Sequence, residues 1–228
     1  MKKTIVLSLG GSLIVPDKIN HLFLDKFKKT LEKHFKTHKF VVVCGGGTIA
    51  RKYISALREE GKSEKELSLA GIRATRMNAK FMMQFFGKQA NDTLPLNMEE
   101  VKSALPKNSV VFCGALRYAK KSTSDETGAK LARLLDTDFI NITNVPGLFT
   151  DNPKENKKAK FIPKQSWSAF AKRANKIKYK AGQHFVLDQQ AANLIKKHKI
   201  KTYIIGQNLT NLDNLLKDKK FKGTTIQG

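Results

Sequence analysis

The chain has 228 residues, 40% of them hydrophobic, and its 43 lysines and arginines against 19 carboxylates give a formal charge of +24. That length supports one substantial core, and with no apolar run near the roughly 20 residues that cross a bilayer, a membrane-spanning helix is excluded. Arginine stands at only seven positions, and the lysine clusters at 154–164, 172–180 and 217–222 lack interleaved aromatic platforms for stacking bases. A solvated basic face is therefore expected, with steering of phosphorylated substrates as the alternative and no specific nucleic-acid or membrane partner.

The opening MKKTIVLSLGGS has a basic start and a few apolar residues, then turns polar at Gly10-Gly11-Ser12. It reads as a first strand over Thr4–Leu9 rather than a signal peptide, and a cytoplasmic setting follows as the expectation. Leu22, Leu24, Phe27, Leu31 and Phe35 recur at helical spacing, and Phe40–Cys44 predicts a buried strand. Ile49, Tyr53 and Leu57 predict one face of a helix ending near Gly61. A longer helix over 63–86 carries Met77, Phe81, Met82 and Phe85, read as a core stripe. Next come a short helix at 98–105, a strand at 109–113, a helix at 125–135 and a strand at 139–143. The segment 150–164 is rich in lysine, asparagine and proline and reads as a loop, followed by a surface helix at 167–172. A helix at 189–197, a strand at 201–205, a helix at 211–216 and a strand at 224–226 complete the chain. Strands alternating with helices predict one α/β domain over 1–228, a three-layer αβα sandwich around a mainly parallel sheet.

Cys44 and Cys113 each end an apolar run and precede a glycine, a setting for small buried thiols rather than a disulfide or metal pair. His21, His34, His38, His184 and His198 show no ligand or triad spacing and read as surface or loop residues.

Chemistry concentrates in glycine turns after strands: Gly10-Gly11-Ser12, Gly45-Gly46-Gly47-Thr48, and Gly114. In a doubly wound sheet such turns lie at the ends where ligands bind, glycine lets the backbone approach a phosphate, and the following helix presents free amides. Neither a Walker A nor a Gly-x-Gly-x-x-Gly pattern is present. Any one of these glycines is equally a tight-turn residue, but two turns in tandem with Arg51 one helical turn beyond Gly47 point to phosphate binding.

The segments GGGTIARKYI (45–54), GIRATRMNA (71–79), TSD (123–125), ITNVPGLFTDNP (142–153), AGQHFVLD (181–188) and GTTI (223–226) resemble, in order and spacing, the archaeal UMP kinases of the amino-acid kinase superfamily. The resemblance implies a kinase that transfers the γ-phosphoryl of ATP to UMP, with Mg²⁺ accompanying ATP and a homohexamer as the assembly. It implies Gly11, Ser12, Gly47 and Arg51 around the ATP phosphates, with Thr143, Asn144, Phe149 and Asn152 on the donor nucleotide. It implies Gly46, Ser68, Thr123 and Ser124 on UMP, and Asp125, with Arg51, in catalysis. No residues are assigned to a protein-held metal. As a bare residue Asp125 is also an ordinary helix-start carboxylate.

The chain departs from the family at several of these positions. Ser8 stands where many members have lysine, Ser68 where the family has aspartate for the ribose hydroxyls, and Phe149 where it has tyrosine. Pro146 replaces the aspartate of the family's Asn-Val-Asp-Gly turn, and Asp151-Asn152-Pro153 stands where Ala-Asp-Pro is usual. The stretch between Gly114 and Asp125 is longer than the family's and carries Arg117, Lys120 and Lys121, which either replace missing charge at the acceptor or face water. A kinase for another phosphorylated acceptor, such as a different nucleotide or an isoprenoid phosphate, and a non-catalytic nucleotide-binding protein remain the alternatives.

Overall fold

A computed structural model describes residues 2–118, 123–151, 153, 156–176 and 186–228. Its elements are β1 (Lys3–Leu9), α1 (Gly11–Ile14), α2 (His21–Glu32), β2 (His38–Cys44), α3 (Gly47–Glu59), α4 (Glu64–Phe86), α5 (Met98–Ala104), β3 (Val110–Cys113), α6 (Ser124–Leu134) and β4 (Phe139–Ile142). Then follow β5 (Leu148–Phe149), β6 (Phe161–Ile162), β7 (Lys164–Gln165), α7 (Trp167–Asn175), α8 (Gln189–His198), β8 (Thr202–Ile205), α9 (Leu209–Leu216) and β9 (Thr224–Ile226).

Seven strands form one sheet in the order β3-β2-β1-β4-β8-β9-β7. The first five of that order run parallel, β9 is antiparallel to β8, and β7 is parallel to β9. A separate antiparallel pair joins β5 to β6. The chain moves outward from β1 through β2 to β3 and returns to β4 on the other side of β1, so the strand order reverses beside β1. Ligands bind at that reversal in open α/β sheets.

The strands are buried on both faces, and period-two alternation sorts their residues. Ile5, Leu7 and Leu9 with Phe40, Val42 and Cys44 meet Phe27 and Leu31 of α2, Met82 and Phe86 of α4, and Leu212 of α9. Val6, Val41, Val43 and Val111 face the other way, onto Ala129 of α6, Phe170 of α7 and Ile195 of α8. Each fully buried Phe or Leu contributes roughly 1.5–3 kcal/mol of transfer free energy. This is the expected arrangement, a mainly parallel sheet between two helical layers.

Several residues lie differently from their sequence expectation. On α3 the packed face is Ile49, Ala50, Ile54 and Leu57, set against Leu67 and Ala74 of α4, while Tyr53 is exposed. Met77 points outward at 65% exposure, so the core stripe of α4 is Met82, Met83 and Phe86 with Phe81 and Phe85 at its margin. Leu22 is likewise exposed on α2. His34 and His38 are buried rather than superficial. His34 Nε2 lies 2.9 Å from Asp213 Oδ1, tying the end of α2 to α9, and its ring meets that of His38 edge-on. Burial and the neighbouring His34 push the His38 imidazole below its ordinary pKa. The stretch expected as a loop before residue 165 contains β6 and β7, and β7 joins the main sheet through β9. These two-residue strands are too short to leave a periodic signal. Cys44 and Cys113 are free and buried, and burial raises both thiols, Cys113 to about 12.

Candidate active site

Two glycine turns interlock at the ends of β1 and β2. A side chain on Gly11 would place its Cβ 2.3 Å from the Gly45 carbonyl oxygen and 2.4 Å from the Gly47 nitrogen. One on Gly47 would lie 2.2 Å from Gly11 C, and Gly47 has φ +59°. Only glycine allows both the left-handed turn and the backbone-on-backbone contact. The ladder of α3 starts with Ala50 N donating to Gly46 O at 3.2 Å, which puts the amides of Gly47, Thr48 and Ile49 ahead of it. Such leading amides and the positive end of the helix dipole favour an anion. Arg51, in the next turn, is half-buried and its Nη2 donates to Thr48 Oγ1 at 3.0 Å, holding the guanidinium over this helix start. Gly11, Ser12 and Gly47 thus lie in contact, with Arg51 one helical turn beyond.

Beside them Ser8, 2% exposed, donates from its hydroxyl to Asp125 Oδ1 at 3.0 Å. Asp125 stands in the first turn of α6, which Thr123 caps by accepting from the amides of Asp125 and Glu126. The Thr123 hydroxyl in turn donates to Asp188 Oδ2, and Asp188 Oδ1 caps α8 by accepting from Gln190 N at 2.7 Å and Ala191 N at 3.0 Å. Two enclosed carboxylates therefore sit side by side at two helix N-termini. Burial and the charge of Asp188 push the Asp125 carboxyl up to about 7, against the opposing pull of the Ser8 hydrogen bond. Burial also raises Asp188, although the Thr123 and backbone donors lower it. Two like charges this close do not both ionise freely at neutral pH.

On the side that the resemblance assigns to the donor, Thr143 and Asn144 follow β4 directly. Thr143 N donates to Ile205 O at 3.0 Å, and Gly10 N donates to Ile142 O at 3.0 Å, so this turn abuts the first glycine turn. Pro146 packs where a Cβ on Gly206 would be 3.0 Å away, and Leu148 N donates to Thr224 Oγ1 at 2.8 Å. Phe149 is half-buried with its ring edge-on to Phe161 at 5.5 Å, leaving an aromatic surface at the rim. Asp151 is exposed and accepts from Asn156 Nδ2 at 2.8 Å within its own loop. Asn152, and the loop cations Lys120 and Lys121, lie outside the described residues; Arg117 is exposed.

On the side that the resemblance assigns to the acceptor, α4 packs against the second glycine turn. A Cβ on Gly46 would lie 3.5 Å from both Gly71 O and Thr75 Cγ2, and Ser68 is half-buried one turn before Gly71. Gly46 thus meets α4 at Gly71 and Thr75, while Thr123 caps α6 and Ser124 opens it. Asp188 and the α4 residues Thr75, Arg76 and Asn78 carried no assigned role in the sequence. For Asp188 the available signal was an aspartate directly before a helical stretch, the mark of an N-cap.

The glycine amides and a fixed arginine are suited to holding and neutralising phosphates. The sequence profile described as the amino acid kinase family matches residues 3–206. A uridylate kinase of Pyrococcus abyssi is 33% identical over 98% of this chain and 99% of its own length. One of Thermoplasma volcanium is 34% identical over 100% of this chain and 99% of its own. The crystal structure of uridylate kinase from Archaeoglobus fulgidus superposes with a TM-score of 0.84 at 33% identity, covering 99% of this chain and 100% of that one. The UMP kinase structure from Ureaplasma parvum, at 20% identity and a TM-score of 0.80, shares the fold over 100% of both chains. With its interlocked glycine turns at the strand reversal beside β1, the chain belongs to the amino acid kinase family.

Proposed function

We propose that the protein transfers the γ-phosphoryl group of ATP to UMP, giving ADP and UDP, a step of pyrimidine nucleotide synthesis. The observation that carries this reading is the end-to-end likeness to uridylate kinases at about a third identity, 33% over 225 residues in one case. A phosphate oxygen of UMP attacks Pγ, the bond from Pγ to the β,γ-bridging oxygen breaks, and the electron pair leaves on ADP. Nothing is oxidised or reduced, so the protein's task is alignment and charge neutralisation.

The Gly11 and Gly47 turns with Ser12 and Arg51 hold the transferring phosphates, and Thr143, Asn144 and the Phe149 ring flank the donor nucleoside. Gly46, Thr123, Ser124 and Ser68 face the acceptor. Mg²⁺ enters with ATP and supplies neutralisation of the β- and γ-phosphate charge. Its usual demand is for one or two carboxylates and phosphate oxygens, and Asp125 and Asp188 are the carboxylates that fit it here.

A cytoplasmic setting and a homohexamer complete the proposal. Among the described residues no helix is long and apolar enough to cross a membrane. A second reading, another phosphorylated acceptor, is favoured by Ser68, because a neutral hydroxyl grips ribose less well than a carboxylate, and by the lengthened stretch between Gly114 and Asp125. The test is ADP release with a panel of nucleoside monophosphates and isopentenyl phosphate. UMP is expected to give the highest kcat/KM; preference for another acceptor overturns the UMP assignment, and absence of turnover with every acceptor overturns the enzymatic reading.

A further inference from the structure

Strand pairing between β2 and β3 stops at Val43 and Cys113. The next residues, Gly114, Ala115 and Leu116, are buried but belong to no strand or helix. Buried backbone groups without partners cost on the order of 1–3 kcal/mol each. The sheet has nothing to offer Ala115 and Leu116, and α4 supplies the partners instead. Ala115 N donates to Thr75 Oγ1 at 2.9 Å, Arg76 Nε donates to Ala115 O at 3.1 Å, and Arg76 Nη2 donates to Leu116 O at 2.6 Å. Gly114 is pressed so closely onto α4 that a Cβ would lie 2.7 Å from Arg76 N and from Thr75 Oγ1.

The same stretch of α4 also holds the phosphate turn. Asn78, 2% exposed, donates from Nδ2 to Gly45 O at 2.7 Å. The methyl of Thr75 is the group that faces Gly46. One residue therefore meets both turns, with its methyl on one and its hydroxyl on the other. Arg76 lies on the acceptor wall, yet its guanidinium is engaged by two consecutive main-chain carbonyls, which spends its forked donors on position rather than on a phosphate.

We propose that Thr75 and Arg76 are positioning residues that set the Gly114–Leu116 turn against the Gly45–Gly47 turn, and thereby the width of the acceptor site. The proposal rests on the reading of this side as the nucleoside monophosphate site. Because α4 is anchored to both turns, a shift of the helix moves them together, and loss of the Arg76 anchor lets the Gly114–Leu116 turn drift while the Gly45–Gly47 turn, still held by Asn78, and the donor residues after β4 stay in place.

Four variants test it. Arg76→Ala is expected to raise KM for UMP by about tenfold or more, since about one charge-assisted hydrogen bond is lost per carbonyl, with KM for ATP changed less than about twofold. Arg76→Lys should recover part of the loss, since an ammonium reaches one carbonyl, and it keeps the measurement available if the alanine variant does not fold. Thr75→Val, which retains the methyl and removes the hydroxyl, should raise KM for UMP more than Thr75→Ser, which does the reverse. Amide exchange at residues 114–118 should accelerate in Arg76→Ala and Thr75→Val. Equal rises in both Michaelis constants, or unchanged exchange at 114–118, overturn the proposal. If the wild type phosphorylates no nucleoside monophosphate, the functional reading fails by itself and the exchange measurement still decides whether Thr75 and Arg76 hold the turn.

Discussion

The Ser8 hydroxyl reaches Asp125 Oδ1 at 3.0 Å, so a neutral donor occupies the place beside the site's central carboxylate. Family members that carry lysine at this position have a cation there. Here Asp125 and Asp188 face each other with hydroxyl and amide donors, and the pair keeps a proton to higher pH than isolated carboxylates do.

That arrangement predicts the pH dependence of the apoprotein. The Asp125 pKa is raised on folding from 3.8 to about 7, so below about 4 it is protonated in both states and has no effect. Between about 4 and about 7 the unfolded chain ionises first, and stability falls as pH rises through that window. His38 acts in the opposite sense, since its lowered pKa removes stability as pH falls below its ordinary range. The contribution of the carboxylate pair is therefore read as a difference: Asp125→Asn should flatten the decline of melting temperature between pH 5 and 8 by about 2 °C or more. Parallel melting curves for variant and wild type across that range would show that the pair holds no extra proton.

Ser8→Lys should fold, despite the burial of Ser8, because its ammonium would lie against two enclosed carboxylates. The added cation lowers both carboxylate pKa values and meets the charge developing on the transferring phosphoryl, so turnover should be retained or rise. Activity at pH 6 relative to pH 8 should increase as the pair ionises at lower pH. A collapsed melting transition would mean that the pocket around Ser8 has no room for the longer chain.

Arg51→Ala removes the one guanidinium fixed over the start of α3. A charge-assisted contact to phosphate is worth about 1.5–3 kcal/mol or more, so kcat/KM should drop by one to several powers of ten. Unchanged kinetics in a folded variant would assign Arg51 to the helix surface.

Ser68→Asp restores an anionic acceptor on the α4 wall one turn before Gly71. Discrimination between UMP and dUMP, measured as the ratio of kcat/KM, should sharpen by about 1–2 kcal/mol over the wild type. If the ratio does not move, the ribose lies elsewhere than against Ser68.

The architecture was largely legible in the sequence because the buried strands are short, mainly apolar runs and several helices have a marked start, as in the Ser63 to Glu66 capping box of α4. What escaped were features with no local signature. Met77 and Tyr53 have core-like side chains on exposed helix faces, and periodicity alone did not separate them from Met82 and Ile54. His34 is paired with Asp213 of α9, which lies far along the chain, and His38 packs against His34 and Phe40. At the site, the glycine turns and Arg51 announced themselves by spacing, whereas the contact of Ser8 with Asp125, and the approach of Asp188 through Thr123, join β1, α6 and α8 across long stretches of sequence. Thr75, Arg76 and Asn78 act on backbone atoms, and a hydrogen bond to a carbonyl leaves no mark on the residue that supplies the carbonyl.

The place of β9 bears on how this molecule is made. Strand β9 lies inside the sheet, antiparallel to β8 on one side and parallel to β7 on the other. While the chain is emerging from a ribosome, β7 has been synthesised long before residues 224–226 exist to pair with it, and until then its polar edge is open to the wrong partner. The parallel strands from β3 to β8 can assemble in order as they appear, but the donor-side margin, where Thr224 Oγ1 receives the amide of Leu148 and donates to Ile162 O, locks only after the last strand inserts. Competence of this margin should thus arrive in one step, with the insertion of β9, rather than as a gradual acquisition.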